Sequence, residues 1–299
     1  MTPTSSIRSC TCSDLRGQVG LHSWLELFAK PAAWGPSCDP DRLIYLDLPN
    51  GGIVLIEARL HAGKIAHIGP IISDREVLRE HRMAVWQAGV TWARSQGAAA
   101  IQIACSSNTD DGEILREIGF PVTTEIVQHQ STRCQMSVPP DLAIRSALYE
   151  SERPALIRIA TRTLIDSLDL PESFPLHRPE DLLAEWVGEE SPEETVILVA
   201  QTEDEMVGLL VAALSTTPQD EKPGCQINYL GVAADHRRQG WGSRLLMQLL
   251  RLAHEAQVER VSVFTDQRNI PAIQMYEKAG FRADDLRMPM VFQRLSETP

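Results

Sequence analysis

The segment around Gly240 has residue types and a spacing that suit the binding of an anion. It reads Arg237-Arg238-Gln239-Gly240-Trp241-Gly242-Ser243 and separates a β-rich segment from an amphipathic one. Because glycine lacks Cβ, the backbone at Gly240 and Gly242 can approach a ligand closely. The first N–H groups of a following helix would be unpaired and partly positive, which favours a diphosphate. Arg237 or Arg238 would add a charge-assisted hydrogen bond.

Alone, this turn is a weak signal, since glycine between a strand and a helix is also common for steric reasons. Other nucleotide-binding and nucleophile motifs are absent. The sequence contains no G-x-G-x-x-G followed by a spaced acidic residue, no Walker A motif and no G-x-S-x-G. A dinucleotide-dependent oxidoreductase is therefore not expected.

The segments around the turn predict the elements that position it. Apolar residues recur at helical spacing in residues 244–256, which predicts a helix that packs on a sheet. The turn would lie between this helix and a strand at 226–232. The other predicted elements of this half are helices at 154–168, 179–187 and 271–279, a hairpin of strands 195–200 and 206–214, and a strand at 261–264.

The first half of the chain repeats this order of elements. Its predicted elements are strands at 43–48, 53–60, 64–72 and 100–104, with helices at 77–94 and 113–118. A shift of 162 residues lays 65–70 on 227–232, and a shift of 161 lays Asn108 on Asn269. This period is that of two copies of one domain. Pro139-Pro140 marks the predicted linker, which gives domains at 1–138 and 139–299.

The motifs of the second copy resemble those of the GNAT superfamily of N-acetyltransferases. The pyrophosphate loop of that family, Q/R-x-x-G-x-G/A, is matched by Arg237, Gly240 and Gly242. Two further motifs occur in the family's order, one before and one after the loop: Tyr229-Leu230-Gly231-Val232, then Asn269-Ile270-Pro271-Ala272 with Tyr276-Glu277-Lys278-Ala279-Gly280-Phe281. The resemblance implies an α/β (α+β) fold of two tandem GNAT-like domains. Each would be a mixed, mostly antiparallel sheet flanked by helices.

The resemblance also implies roles for individual residues, with acetyl-CoA as co-substrate and no metal. Leu230, Gly231 and Val232 would pair through their backbone with the pantetheine arm, and an N–H near Leu230 would polarise the thioester carbonyl. Asn269 would contact the same arm. Tyr276 would give a proton to the departing thiolate. The diphosphate would bind to the turn, Arg237, Arg238, Gln239, Gly240, Trp241, Gly242 and Ser243.

Two points stay open at this level. By residue type alone, Tyr276 is better interpreted as an ordinary half-buried aromatic of a terminal helix, and it is its position between Asn269 and Gly280-Phe281 that favours catalysis. The second is the proton acceptor, because the strand before the loop, Cys225-Gln226-Ile227-Asn228-Tyr229, carries no acid. Water ordered by Asn228 or Tyr229, or a carboxylate from elsewhere such as Glu190, remain alternatives. Residues 168–190 and 284–290 are predicted to shape the acceptor pocket.

The first copy lacks the features of the loop. Its corresponding segment is Asp74-Arg75-Glu76-Val77-Leu78-Arg79-Glu80, in which Leu78 and Glu80 replace the two glycines. Leu115 stands where Tyr276 does and has no proton to give. The first copy is therefore predicted to be a degenerate structural domain without cofactor. A tandem protein with one complete copy resembles mycothiol synthase in layout and length, which is an analogy of layout only.

Composition narrows the class of protein further. The net charge of −12 disfavours a general nucleic-acid binder, and no apolar run reaches the ~18 residues of a membrane span. The N-terminal residues do not have the pattern of a secretory signal, so a cytoplasmic protein is expected. The six cysteines do not have the spacing of a disulfide framework, and Cys10-Thr-Cys12 lacks the second ligand pair of a metal site.

The sequence as a whole predicts an acetyl-CoA-dependent N-acyltransferase. Its acceptor would be a primary amine of a small molecule or peptide, and no nucleic-acid or membrane partner is expected. The missing carboxylate and the degenerate first copy also permit an alternative, a catalytically weak CoA-binding sensor or partner-binding pseudoenzyme. The sequence specifies neither the acceptor nor the preferred acyl group nor the oligomeric state.

Overall fold

The computed structural model describes residues 7–10, 42–48, 53–61, 64–73, 76–106, 109–132, 140–188, 195–215 and 224–295. They form two compact units. The first contains the described residues up to Glu125 and those from Arg287 onwards, and the second is Ile126–Leu286. None of the described helices is long and apolar enough to cross a membrane.

The first unit is one sheet with two helices. Its strands are β1 (Ile7–Cys10), β2 (Arg42–Asp47), β3 (Ile53–Leu60), β4 (Ile65–Ile68), β5 (Ile72–Ser73) and β6 (Ala100–Ala104), and its helices are α1 (Arg79–Ser95) and α2 (Asp111–Glu117). The strand order is β1-β2-β3-β4-β6, and β5 pairs with β3. The pairing of β4 with β6 is parallel, whereas the others are antiparallel.

The second unit has the same plan with more helices. Its elements are β7 (Thr124–Ser131), β8 (Ile144–Ser146), α3 (Tyr149–Leu164), α4 (Pro179–Val187), β9 (Thr195–Gln201), β10 (Met206–Ser215), β11 (Gly224–Val232), α5 (Trp241–Glu255), β12 (Arg260–Asp266), α6 (Ile270–Lys278) and the start of β13 (Arg282–Arg294). The residues of β13 from Arg287 onwards belong to the first unit. The strand order is β7-β12-β11-β10-β9-β8, and β11 with β12 is the parallel pair. The predicted fold class, a mixed and mostly antiparallel sheet with flanking helices in each copy, is confirmed.

Two strands join the sheet of the other copy. β7 follows the first copy in sequence but pairs antiparallel with β12, from Ile126 opposite Asp266 to Ser131 opposite Val261. β13 ends the second copy, yet its residues 290–294 pair antiparallel with β6. The compact units therefore differ from the predicted ranges 1–138 and 139–299 at these strands. Residues 284–290, predicted to shape an acceptor pocket, lie within β13.

Helix α5 packs on the second sheet in the way its apolar spacing predicts. The buried side chains of α5 include four leucines at that spacing, Leu245, Leu246, Leu249 and Leu250. They share a core with residues of β10, β11 and β12 and with Tyr276 and Phe281. Full burial of a leucine stabilises a fold by about 1.5–3 kcal/mol, so this face anchors the helix whose first turn carries the predicted loop.

Candidate active site

Strands β11 and β12 are paired over only part of their length. The parallel pairing runs from Gly224 opposite Arg260 to Ile227 opposite Val263 and then stops. Both strands continue, because β11 stays paired with β10 as far as Val232 and β12 with β7 as far as Asp266. Residues 228–232 and 264–266 therefore border a space between the two strands, which we call the β11–β12 gap. Among the described residues, their backbone groups on this side have no strand partner.

A β-bulge marks the point where the two strands part. Tyr229 pairs with Val211 and Ile227 with Ala212, so Asn228 is the extra residue on β11. Its side chain donates to the carbonyl of Trp186 on α4 over 2.8 Å. The Trp186 ring in turn stacks on Tyr229 at a centroid distance of 3.7 Å. Helix α4 thus holds this part of β11 in place, since a bulge otherwise leaves the ladder locally open.

The glycine turn lies at the start of α5, at the end of β11. Gly240 is the N-cap of this 15-residue helix and has a φ of 86°, a left-handed conformation that favours glycine. Within the described part of the chain no side chain caps the first turn, so its N–H groups remain available to an anion. A Cβ on Gly242 would lie 3.0 Å from Sδ of Met275 on α6, so the second glycine also allows the two helices to approach.

The two arginines of the turn have different surroundings. The guanidinium of Arg237 donates to the carbonyls of Thr163 over 3.1 Å and Asp166 over 2.9 Å, and to that of Ile165, while its Nε donates to Val232 O over 3.1 Å. Arg237 thereby ties the end of α3 to β11. Arg238 is exposed and has no hydrogen-bond or ion-pair partner among the described residues. Of the two predicted phosphate contacts, Arg238 is the one whose charge is free.

The other predicted residues of the turn also have defined surroundings. Ser243 and Gln239 are exposed, and Gln239 donates to the carbonyl of Asp235 over 3.3 Å. The Trp241 ring is half-buried under the guanidinium of Arg244, 4.2 Å from the ring centroid. The first turn of α5 therefore presents a mainly polar surface.

The predicted pantetheine-binding residues line one side of the gap. Leu230 and Val232 lie on β11 and pair with Leu210 and Gly208 of β10. A Cβ on Gly231 would lie 2.4 Å from the Tyr229 hydroxyl and 2.8 Å from Cβ of Thr163, so glycine is required there. Asn269 caps α6, since its side-chain oxygen accepts from the N–H of Ala272 over 3.3 Å.

Tyr276 is buried on α6, with 3% of its surface exposed. Its ring lies 5.6 Å from that of Phe281 and 6.3 Å from that of His129 on β7, measured between centroids. Its hydroxyl hydrogen bonds with Thr265 on β12. Burial raises the pKa of the Tyr276 phenol above its usual value, and the nearby Asp169 carboxylate raises it further. Tyr276 therefore keeps its proton at neutral pH.

Sequence reasoning missed an acid on the other side of the gap. Asp169 follows α3, and its Oδ1 accepts from the backbone N–H of Asp266 on β12 over 2.9 Å. The side chain of Asp266 is fully buried and paired with Arg268, whose guanidinium also binds Glu172 over 2.6 Å. No motif surrounds Asp169, so only its place in the predicted acceptor region 168–190 could have drawn attention to it.

Two acidic residues and a histidine come together elsewhere in the described part of the second unit. Glu205, Asp235 and His236 have ligand atoms close enough to hold a metal ion. Arg162 hydrogen bonds with both carboxylates, over 2.5 Å to Glu205 and 3.2 Å to Asp235. The guanidinium thus supplies the positive charge that this cluster needs.

The first unit has a different arrangement at the equivalent positions. The N-cap of α1 is Leu78, which is 162 residues before Gly240, but its φ of −62° is extended rather than left-handed. Arg79 pairs with Asp110 and Glu117, and Arg82 donates to Asp111 over 2.9 Å. Acidic side chains of the chain itself therefore neutralise the start of α1. Leu115, equivalent to Tyr276, is fully buried.

Several residues named from the sequence lie outside the described part of the chain. They are Asp74 and Arg75 of the first-copy loop, Asn108 of the repeat, Pro139 of the predicted linker and Glu190, the candidate base. Cys12 of the Cys10-Thr-Cys12 motif lies outside it as well.

Comparison with known proteins identifies the second copy. Residues 160–281 match the acetyltransferase (GNAT) family, and this part of the chain belongs to it. The matched range of the GNAT domain contains the β11–β12 gap, the glycine turn, Tyr276 and Asp169. N-alpha-acetyltransferase 30 of Mus musculus is 26% identical over 174 residues, which are 58% of this chain and 44% of that protein. The chain thus spans less than half the length of this relative.

Solved structures share the fold over nearly the whole chain. A tandem GNAT protein from the clavulanic acid biosynthesis pathway has a TM-score of 0.60 at 12% identity, covering 98% of this chain and 100% of that one. Saccharomyces cerevisiae N-myristoyltransferase with bound myristoyl-CoA has a TM-score of 0.62 at 9% identity, covering 98% of this chain and 81% of that one. These likenesses concern the fold, and they agree with two GNAT folds in tandem.

Proposed function

We propose that the second copy is an acetyl-CoA-dependent N-acyltransferase that acetylates a primary amine of a small molecule or peptide. The observation that carries this proposal is the β11–β12 gap, which opens beside the uncapped first turn of α5. Among the described residues, the strand edges at this gap offer backbone donors and acceptors without a strand partner, and the start of α5 offers backbone donors. This combination suits an extended ligand that has an amide-containing arm and a diphosphate.

The residues present fit this ligand. Gly240 and Gly242 leave room at the start of α5, and the N–H groups there are those that bind phosphates at helix N-termini. Arg238 adds an exposed charge. Backbone groups of Leu230 and Val232 would pair with the amides of the arm as an added strand does. N-myristoyltransferase, which shares the fold, binds myristoyl-CoA, which supports a CoA thioester as the acyl donor.

The chemistry would use few side chains. A neutral amine attacks the thioester carbon, and an N–H near Leu230 stabilises the negative charge that develops on the carbonyl oxygen. Tyr276, which stays protonated, would give its proton to the departing thiolate. The relative N-alpha-acetyltransferase 30 supports an amine acceptor by its name, although it does not identify the one used here.

Amine-dependent release of the CoA thiol tests this proposal. The purified protein is incubated with acetyl-CoA and a panel of peptides with free α-amines, lysine-containing peptides blocked at the N-terminus, and small primary amines. We expect at least one of these to raise thiol release well above hydrolysis. If acetyl-CoA binds and no amine raises thiol release above hydrolysis, the protein is a CoA-binding sensor or pseudoenzyme instead.

We expect one acetyl-CoA to bind per chain, in the second copy. The ion pairs of Arg79 and Arg82 with α2 and the extended backbone at Leu78 leave the start of α1 without an anion site. Titration calorimetry measures the stoichiometry directly, and Leu78→Gly serves as a control, because a glycine there does not remove the ion pairs. Two equivalent sites in the unaltered protein would contradict this expectation.

A further inference from the structure

Asp169 places a carboxylate at the β11–β12 gap. Its Oδ1 accepts from the N–H of Asp266, the last residue of β12. That N–H belongs to the part of β12 that extends beyond its pairing with β11. The carboxylate therefore lies against the edge of β12 that faces the gap, where the thioester is proposed to bind.

Hydrogen bonds hold the Asp169 carboxylate in place through one of its two oxygens. Ser167 accepts from the backbone N–H of Asp169 over 3.2 Å, and Asp266 donates to Oδ1. Nearby, Arg268 connects Glu172 of the same segment to Asp266 of β12, which holds this segment against the strand. Within the described residues, nothing donates to Oδ2 of Asp169. One oxygen thus positions the group while the other can accept a proton.

Two phenols share this region with Asp169. The Asp169 carboxylate is close enough to raise the pKa of both Tyr229 and Tyr276. Tyr229 donates its hydroxyl proton to Thr163 over 2.8 Å and lies against Gly231. The carboxylate, the proposed proton donor and the proposed arm-binding strand therefore border the same space.

We propose that Asp169 is the catalytic base of the acyltransferase, with Oδ2 accepting a proton from the ammonium form of the acceptor. This inference rests on the proposed function. An ammonium group must lose two protons to become an amide nitrogen. Asp169 takes the first and passes it to water, which leaves a neutral amine. The N–C bond then forms and the C–S bond breaks. The departing thiolate sulfur takes the hydroxyl proton of Tyr276. The second proton lost by the nitrogen then returns to the Tyr276 oxygen.

The electrostatic surroundings of Asp169 suit this role. Burial raises its pKa to about 6, although the hydrogen bond from Asp266 lowers it, as does the charge of Arg268. A base with a pKa just below the working pH is mostly ionised and still holds a proton well. The charged groups that act on it are Asp266 at the end of β12 and Arg268, and its own charge acts on Tyr229 of β11 and Tyr276 of α6.

The neighbouring carboxylates are less suited to accept a proton. Both oxygens of Glu172 bind Arg268, over 2.6 and 2.9 Å, and those of Asp266 accept from the same guanidinium. The Arg268 guanidinium lowers the pKa of Glu172 below its usual value. Asp169 is paired directly with neither arginine nor lysine among the described residues, so its carboxylate is not neutralised by a salt bridge.

Asp169→Asn tests the proposal, with Asp166→Asn as the matched control. Asp166 lies in the same segment, and its side chain is exposed. Its φ is 52°, a conformation that asparagine tolerates. The acceptor is the most active amine of the panel. We expect Asp169→Asn to lower kcat/KM for that amine by about 10²- to 10⁴-fold, as loss of a general base does. Acetyl-CoA affinity, measured by calorimetry, should stay within threefold, and Asp166→Asn should match the unaltered protein.

The pH dependence separates catalysis from a structural effect. The unaltered protein acts on the ammonium form of the amine through deprotonated Asp169, so its kcat/KM should rise as the pH rises through about 6 and then level off. Asp169→Asn can use only the neutral amine, so its kcat/KM should lack this inflection and keep rising with pH up to the pKa of the amine. The ratio of the two values should therefore be largest at low pH and fall as the pH rises above about 6. Asp169→Glu, which keeps a carboxylate, should recover part of the activity and provides the test if the asparagine variant does not fold.

Four outcomes overturn the inference or its basis. A ratio near one at every pH contradicts a role for Asp169, and a large ratio that does not change with pH makes Asp169 structural. If Asp169→Glu is no more active than Asp169→Asn, Asp169 is likewise structural. If the unaltered protein acetylates no amine, the proposed function itself fails, which is distinct from either result with an active protein.

Discussion

Tyr276→Phe will lower kcat by one to three decades, with the KM for acetyl-CoA little changed. A thiol has a solution pKa of ~8.5, so a departing thiolate leaves more easily when it receives a proton. General-acid help is worth about 10²- to 10⁴-fold, and the expected loss corresponds to about 1.4–4 kcal/mol in the barrier. Burial raises the pKa of Tyr276, so the group that would give this proton is protonated throughout the physiological range.

The fold should survive this substitution. The phenyl ring of the variant would still pack against Phe281, and only the hydrogen bond to Thr265 is lost. Such a bond contributes about 0.5–1.5 kcal/mol. Tyr45→Phe is the matched control, because Tyr45 is a buried tyrosine of β2 in the first unit. Full kcat in Tyr276→Phe, where chemistry limits turnover, would leave Tyr276 as a core aromatic only.

Gly240→Asp will weaken acetyl-CoA binding about a hundredfold, whereas Gly240→Asn will weaken it far less. Both residues tolerate the left-handed conformation that Gly240 has, and a Cβ at this position meets no other atom within 4 Å. The pair differs in charge alone. A carboxylate ~5 Å from a diphosphate oxygen costs about 3 kcal/mol at an effective dielectric constant of ~20.

Titration calorimetry at low ionic strength measures both affinities, and the difference should shrink in high salt because exposed charges are screened. Equal losses in the two variants would assign the effect to backbone conformation. Affinities unchanged in both would show that the start of α5 does not hold the diphosphate. Gly242 is a poorer position for this test, since any side chain there presses on Met275 of α6.

Local sequence patterns predicted most elements of the second unit. The leucine stripe of α5, the hairpin of β9 and β10, and Gly280 at the end of α6 are short-range signals, and the structure has an element at each of them. The element boundaries differ by a few residues. Helix α3, for example, begins at Tyr149 rather than at residue 154, because Pro154 lies inside the helix instead of starting it.

The repeat and the loss of the loop in the first copy were also accessible from sequence. The N-caps Leu78 and Gly240 are separated by the predicted shift of 162 residues. Their backbone conformations follow from their residue types, since Gly240 is left-handed and Leu78 is extended. Arg237 and Arg238 were not distinguishable, because the carbonyls that occupy Arg237 come from the end of α3, more than 70 residues away in sequence.

The sequence by itself determined the elements, their duplication and the glycine turn, since each depends on residues close together in the chain. Only the tertiary structure decided which strands complete each sheet, because alternation of buried residues predicts a strand but not its partner. β7 joins β12 and the end of β13 joins β6 for this reason. The position of Asp169 was equally hidden, since it depends on a hydrogen bond to Asp266, 97 residues further along the chain.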